Sequence, residues 1–127
     1  MATLTHTRRG FGLVAGLAFI SWLGMMIHNV IELPGLTLLN PELGLPTLIY
    51  IGLVLSGWFL HDKRLWASAL FSWVLLQLVV GGLISVIPFS FLPFYPEQSL
   101  RHYFAHLVYS VMQLPLLIVL FVSLRRT

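Results

Sequence analysis

Residues 11–33 read FGLVAGLAFISWLGMMIHNVIEL, an apolar run whose single charged side chain, Glu32, lies next to its end. About 20 such residues cross the hydrocarbon core of a bilayer as a helix, because a helix satisfies its own backbone hydrogen bonds in lipid. The run is too long for a signal peptide, and no small-residue cleavage motif follows it. We therefore expect a retained first transmembrane helix over residues 11–33.

Three further apolar segments predict helices at 46–60, 66–87 and 99–124. The second is short for a span, so its helix is expected to begin before Pro46. The predicted fold class is an all-α integral membrane protein. Its four transmembrane helices form an up-down-up-down bundle, in a single membrane domain over residues 1–127.

The composition excludes several other classes of protein. Of the 127 residues 58% are hydrophobic and 9% are charged, and the mean hydropathy is +0.93. A soluble domain carries about 25% charged residues, so this chain cannot cover a water-exposed surface. No basic face is available to nucleic acid. The absence of cysteine excludes disulfides, thiolate metal sites and iron–sulfur clusters.

Basic residues predict the orientation in the membrane. Six of the seven fall at helix ends on one side, and only Arg101 falls on the other; the six are Arg8, Arg9, Lys63, Arg64, Arg125 and Arg126. The positive-inside rule therefore predicts a multi-pass protein with both termini in the cytoplasm. No site is expected at His6, in the polar N-terminal tail, or at His61, in the inner loop.

Small residues and proline predict how the helices pack. Three pairs of small residues are expected to let helices of this chain approach closely: Gly12 with Gly16, Gly52 with Ser56, and Gly81 with Gly82. Pro115 is expected to kink the fourth helix. The outer loops, 33–45 and 88–96, are unusually apolar, and we expect them to lie in the interface, to cover the helix ends or to contact a partner.

Four ionisable side chains fall at two matched depths of the first and fourth helices. His28 and His106 each lie 19 residues from the arginine that marks the inner end of their helix. That separation is roughly 28 Å, close to the outer interface. Glu32 and His102 each lie 23 residues from the same arginines. The spacing therefore pairs His28 with His106 and Glu32 with His102.

A polar stripe continues along the fourth helix. His102, His106, Tyr109 and Gln113 recur at intervals of three or four residues and so share one face, which lipid would not tolerate. The stripe is expected to face the bundle interior. Gln77 and Gln113 lie near the midplane and are expected to bond between helices, so that Gln77, Tyr109 and Gln113 are supporting polar residues.

Paired ligands on two helices are a typical way to build a metal site. His28, Glu32, His102 and His106 together would suit zinc, copper or non-haem iron. Alternatively, His28 and His106 alone would clamp the iron of haem b, with Gly24 making room for the porphyrin. A chlorophyll magnesium held by one histidine is a third form of this prediction. The structural alternative is that these side chains only cap helices or bond one another.

The sequence favours two functions over the others. The first is a small membrane protein that holds a haem or a metal ion between helices 1 and 4 near the outer leaflet, in electron transfer or within a membrane redox complex. The second is an accessory subunit without its own cofactor. A small transporter and a lipid-processing enzyme rank lower, because no acidic residue lies deep in a span and no nucleophile is evident. Expected partners are membrane lipid, other membrane subunits or further copies of the chain, and a quinone or other hydrophobic ligand.

Overall fold

Four long helices form the protein in a computed structural model that describes residues 8–126, so His6 lies outside the described residues. These residues contain no strand. Each of the four helices is long and apolar enough to cross a membrane: α1 (Arg8–Glu32), α2 (Pro41–Phe59), α3 (Lys63–Val86) and α4 (Leu100–Arg125). The prediction of an all-helical fold with four helices long and apolar enough to span a membrane is confirmed.

Helix α2 begins five residues before the predicted start. Pro41 occupies the first helical turn, where the missing N–H of proline removes no hydrogen bond, and Pro46 lies inside the helix. The 19 residues of α2 then suffice for a span. At its other end, Lys63 donates to the carbonyls of Gly57 and Leu60, which ties the end of α2 to the start of α3.

Helix α3 changes its winding near its end. It is α-helical over Lys63–Leu76, π-helical over Gln77–Leu83 and a short 3₁₀-helix over Ile84–Val86. Nothing in the apolar periodicity predicted this change, and π-helical turns are frequent at functional sites.

Helix α4 lies between α1 and α3 and contacts both. Helix α2 also contacts α1 and α3. The buried face of α4 contains the predicted polar stripe at one end and Leu116, Leu117 and Leu120 at the other. The stripe therefore faces the interior, as predicted. Pro115 lies inside α4, which continues as one α-helix through Arg125.

The predicted close packing at small residues is absent in α1 and α2 and present in α3. A Cβ added to Gly12, Gly16 or Gly52 would meet no described atom within 4 Å, so the prediction that these residues mediate close packing within the chain is wrong. The prediction holds for Gly81 and Gly82, where an added Cβ would lie 2.5 Å from a side-chain oxygen of α4.

Gly24 sets the separation of α1 and α4. A Cβ at this position would lie 2.8 Å from Cβ of Met112. The space that a side chain at Gly24 would fill is therefore occupied by α4, and the expectation that Gly24 makes room for a porphyrin is wrong.

Gly24→Ala should destabilise the bundle, because the added methyl overlaps Met112 and overpacking of this kind costs about 1–3 kcal/mol. Thermal unfolding in detergent, followed by circular dichroism, measures the effect. The matched control is Gly16→Ala, on the same helix but facing no described atom, which should leave the midpoint unchanged or raise it. Equal midpoints for the two variants would contradict the close packing of α1 on α4.

Candidate functional site

The four predicted ligands meet where α1 ends and α4 begins. His28 and Glu32 lie on the last turns of α1, and His102 and His106 lie on the first turns of α4. The Ser99 hydroxyl accepts from the backbone N–H of His102 and fixes the start of α4. His102 and His106 are buried, and the Glu32 side chain is 10% exposed.

His28 and His106 form the first pair. Their Nε2 atoms lie 3.0 Å apart, and their ring centroids are separated by 4.4 Å. The His28 ring also packs edge-on against Tyr109, at 5.3 Å between centroids. The two residues are thus in contact at the depth where the sequence paired them.

The other ring nitrogen of each histidine faces an acceptor. Nδ1 of His28 lies 2.8 Å from Asn29 Oδ1, and Nδ1 of His106 lies 3.2 Å from the carbonyl oxygen of Gly82, in the π-helical part of α3. Nδ1 of His106 therefore carries the proton, because a carbonyl oxygen only accepts, and Nε2 of His106 presents a lone pair. Nε2 of His28 faces that lone pair within hydrogen-bonding distance, so that either a proton, as in a neutral N–H···N bond, or a metal ion satisfies the pair.

His102 and Glu32 form the second pair. Nδ1 of His102 donates to Oε2 of Glu32 over 2.9 Å. Nε2 of His102 and Oε1 of Glu32 are buried and have no hydrogen-bond partner among residues 8–126. A buried polar atom without a partner costs about 1–3 kcal/mol. The ring of His102 lies 4.4 Å from that of His106, between centroids, so the two pairs adjoin.

Two charged residues lie at the edge of the second pair. Arg101 contacts Glu97 over 3.1 Å and approaches Glu32 Oε2 to 4.0 Å. Ligand atoms of Glu32, Glu97 and His102 lie within 4.8 Å of one another. Because the Arg101 guanidinium lies beside both carboxylates, this group already holds a positive charge.

The predicted ligands therefore lie in two adjoining pairs, and three other groups complete their surroundings. Sequence reasoning missed Asn29, Glu97 and the carbonyl of Gly82. Asn29 follows His28 directly, and Glu97 lies four residues before Arg101, so both spacings offered a signal. The carbonyl of Gly82 offered none, because any residue type presents a backbone oxygen.

The separation of His28 and His106 distinguishes between the predicted cofactors. Two nitrogens bound at 2.0–2.1 Å to one tetrahedral ion lie about 3.3 Å apart, whereas nitrogens on opposite sides of one iron lie about 4 Å apart. The observed 3.0 Å leaves no space for a porphyrin between the rings. This geometry favours a small ion over haem.

The supporting polar residues form interhelical bonds nearer the middle of the bundle. The Tyr109 hydroxyl donates to Gln77, which joins α4 to α3. Gln113 is fully buried; its oxygen contacts the hydroxyls of Ser21 and Tyr50, and its Nε2 donates to the Ser21 carbonyl over 3.0 Å. Gln77 and Gln113 therefore bond to different helices and not to each other.

A cavity of about 340 Å³ lies between α1 and α2, away from the histidines. Its walls are almost wholly apolar and include Ala15, Ala18 and Val54, with Tyr50 and Thr47 beside them. The polar atoms of Tyr50 and Thr47 are hydrogen-bonded within the chain. The cavity therefore suits an apolar occupant.

Comparison with protein families, with curated proteins and with solved structures gave no match.

A double-mutant cycle of Ser21→Ala and Gln113→Leu should give a coupling free energy of about 1 kcal/mol, because interhelical polar bonds in membranes contribute on this scale. Reversible unfolding of the single and double variants in detergent measures it. Additive effects of the two substitutions would contradict the bond between α1 and α4.

Proposed function

We propose that this chain is a small integral membrane protein that holds a metal ion between α1 and α4, near the outer leaflet. The observation that carries the proposal is the close approach of Nε2 of His28 to Nε2 of His106, at 3.0 Å. Because imidazole binds metals through an unprotonated nitrogen, these two atoms can supply two ligands.

The surroundings of the pair are typical of metal ligands. A ligating histidine almost always donates its other N–H to a carboxylate, a carbonyl or water, which fixes the ring and its tautomer. Nδ1 of His28 hydrogen-bonds with the side-chain amide of Asn29, and Nδ1 of His106 donates to a backbone carbonyl. The separation of 3.0 Å between the two Nε2 atoms is a few tenths of an ångström below the value that a tetrahedral ion requires.

A metal ion accounts for the site better than a shared proton does. A proton shared by His28 and His106 would place a positive charge between a buried ring and a half-buried one. Imidazole ligands suit zinc, copper and iron. Copper or iron would support electron transfer, alone or as a cofactor-holding subunit of a redox complex, with the apolar cavity available to the chain of a quinone.

The proposed topology follows from charge and connectivity. An up-down-up-down arrangement with both termini in the cytoplasm sets the paired arginines on the inner side and the histidine pairs near the outer side. The short connections and the contact of α1 with α4 support this arrangement.

A second candidate function is that of an accessory subunit without a cofactor. The observation in its favour is the exposure of large apolar side chains in the outer loops, among them Leu39 at 96%, Tyr95 at 78% and Phe91 at 70%. Such side chains are suited to a neighbouring subunit or to the membrane interface. This candidate predicts that the histidines can be replaced without loss of assembly.

Elemental analysis of protein purified in detergent without chelator should find about one transition-metal ion per chain. His28→Ala and His106→Ala should each lose it, because each removes one of the two opposed ligands. The matched control is His61→Ala, in the exposed loop between α2 and α3, which should retain the wild-type metal content.

Full metal retention by His106→Ala would contradict the proposed ligand pair. A wild-type protein that contains no metal, and gains none on incubation with zinc or copper salts, would favour the accessory-subunit function.

A further inference from the structure

We infer that the apolar cavity between α1 and α2 binds one acyl chain of an anionic phospholipid, whose phosphate lies beside Arg8. The inference does not depend on the metal ion, because the cavity lies away from the histidines. It is carried by the chemistry of the cavity walls, by the face of α1 that leads to them, by their depth and by the charge at the helix end.

The walls of the cavity suit a chain without polar groups. Phe19 and Ile51 line the cavity and are 58% and 50% exposed, so the cavity opens toward the surrounding bilayer. The polar atoms of Tyr50, Thr47 and Trp22 in its walls are hydrogen-bonded within the chain. The occupant therefore needs no donor or acceptor, and an acyl chain has neither.

One face of α1 leads from the end of the helix to the cavity. Arg8 lies seven residues before Ala15 and eleven before Phe19, and these separations are close to two and three whole turns of a helix. Gly12 lies between them on this face, and a Cβ added there would meet no described atom within 4 Å. The face that no helix of this chain covers at Gly12 therefore gives an acyl chain a smooth path from Arg8 to the cavity.

The depth of the cavity matches the depth of an acyl chain. Ala15 and Trp22 line the two ends of the cavity on α1, about 10 and 21 Å along the helix from Arg8. A headgroup region is roughly 6 Å thick and half of the hydrocarbon core about 15 Å, so a chain occupies roughly 6–21 Å beyond its phosphate. A phosphate level with Arg8 therefore sets the chain at the cavity.

The charge at this end of α1 favours an anionic headgroup. Arg8 and Arg9 are exposed, and neither forms an ion pair with a carboxylate among residues 8–126. In the proposed topology they lie at the cytoplasmic leaflet, which carries the anionic lipids. The exposed ring of Trp58 stacks on Phe11 beside this path, as is typical of aromatic side chains at the headgroup level.

The competing occupant is the isoprenoid chain of a quinone. Such a chain fits the same apolar walls, but the uncharged ring of a quinone gains no ionic attraction from Arg8 or Arg9. The position of the two arginines therefore favours the phospholipid.

Native mass spectrometry of the delipidated chain in detergent tests the inference, through titration with phosphatidylglycerol and with phosphatidylcholine of the same acyl chains. The wild type should bind one phosphatidylglycerol more tightly than phosphatidylcholine. Arg8→Gln should lower the affinity for phosphatidylglycerol about fivefold, the contribution of one basic residue at an anionic surface, and leave that for phosphatidylcholine unchanged. The matched control is Arg126→Gln, the loss of the same charge at the end of α4, which should match the wild type.

A second variant tests the position of the acyl chain. Ala15→Phe places a large apolar side chain in the cavity and should therefore weaken the binding of both lipids. Its control is Ser72→Phe, which adds similar bulk on the exposed face of α3 and should bind both lipids as the wild type does. Far-UV circular dichroism confirms that each variant is folded.

Three results would overturn the inference. Equal affinity of the wild type for the two lipids, or an equal loss in Arg8→Gln and Arg126→Gln, would show that no anionic headgroup is bound at Arg8. Wild-type lipid binding in Ala15→Phe would place the acyl chain outside the cavity. If this variant lost only the binding of ubiquinone-10 in a parallel titration, the cavity would belong to a quinone chain.

Discussion

The close approach of α1 to α4 at Gly24 is the constraint on which the polar interior depends. Ser21 lies one turn before this glycine and His28 one turn after it, on the same face of α1. Because no side chain separates the helices at Gly24, Ser21 reaches Gln113 and His28 reaches His106. Lipid supplies no hydrogen bonds, so these polar groups need partners from the neighbouring helix. The absence of a side chain at Gly24 thus allows both the Ser21–Gln113 contact and the His28–His106 contact.

Much of the fold and part of the site follow from the sequence. A helix has a constant rise and a constant rotation per residue, so residue number gives both the depth of a side chain along the helix and the face on which it lies. The pairing of His28 with His106 needed only equal distances from the inner arginines and a common helical rise. The π-helical turn over Gln77–Leu83 was not predictable, since it depends on how α3 packs against α4. The roles of the backbone carbonyl of Gly82 and of the open faces of Gly12 and Gly16 depend on the same tertiary packing.

The hydrogen bonds of the histidines bear on which cofactor the site suits. An amide, a backbone carbonyl and a carboxylate contact the three Nδ1 atoms, and the carbonyl and the carboxylate hold the rings of His106 and His102 with the proton on Nδ1. Nε2 of His28 and Nε2 of His106 are close enough for a single small ion between them and too close for a porphyrin. Buried polar atoms without a partner, such as Nε2 of His102, cost free energy, and this cost supports the proposal that the cluster is a binding site rather than a set of helix caps.

We propose that a metal ion, and not a proton, lies between Nε2 of His28 and Nε2 of His106. Nuclear magnetic resonance of the chain labelled with ¹⁵N-histidine and loaded with ¹¹³Cd tests it directly, because cadmium couples only to the nitrogens that bind it. An ion bound by both histidines should give ¹¹³Cd couplings at Nε2 of both residues and leave a proton on each Nδ1. A proton signal shared between the two Nε2 atoms, with no cadmium coupling at either, would contradict it.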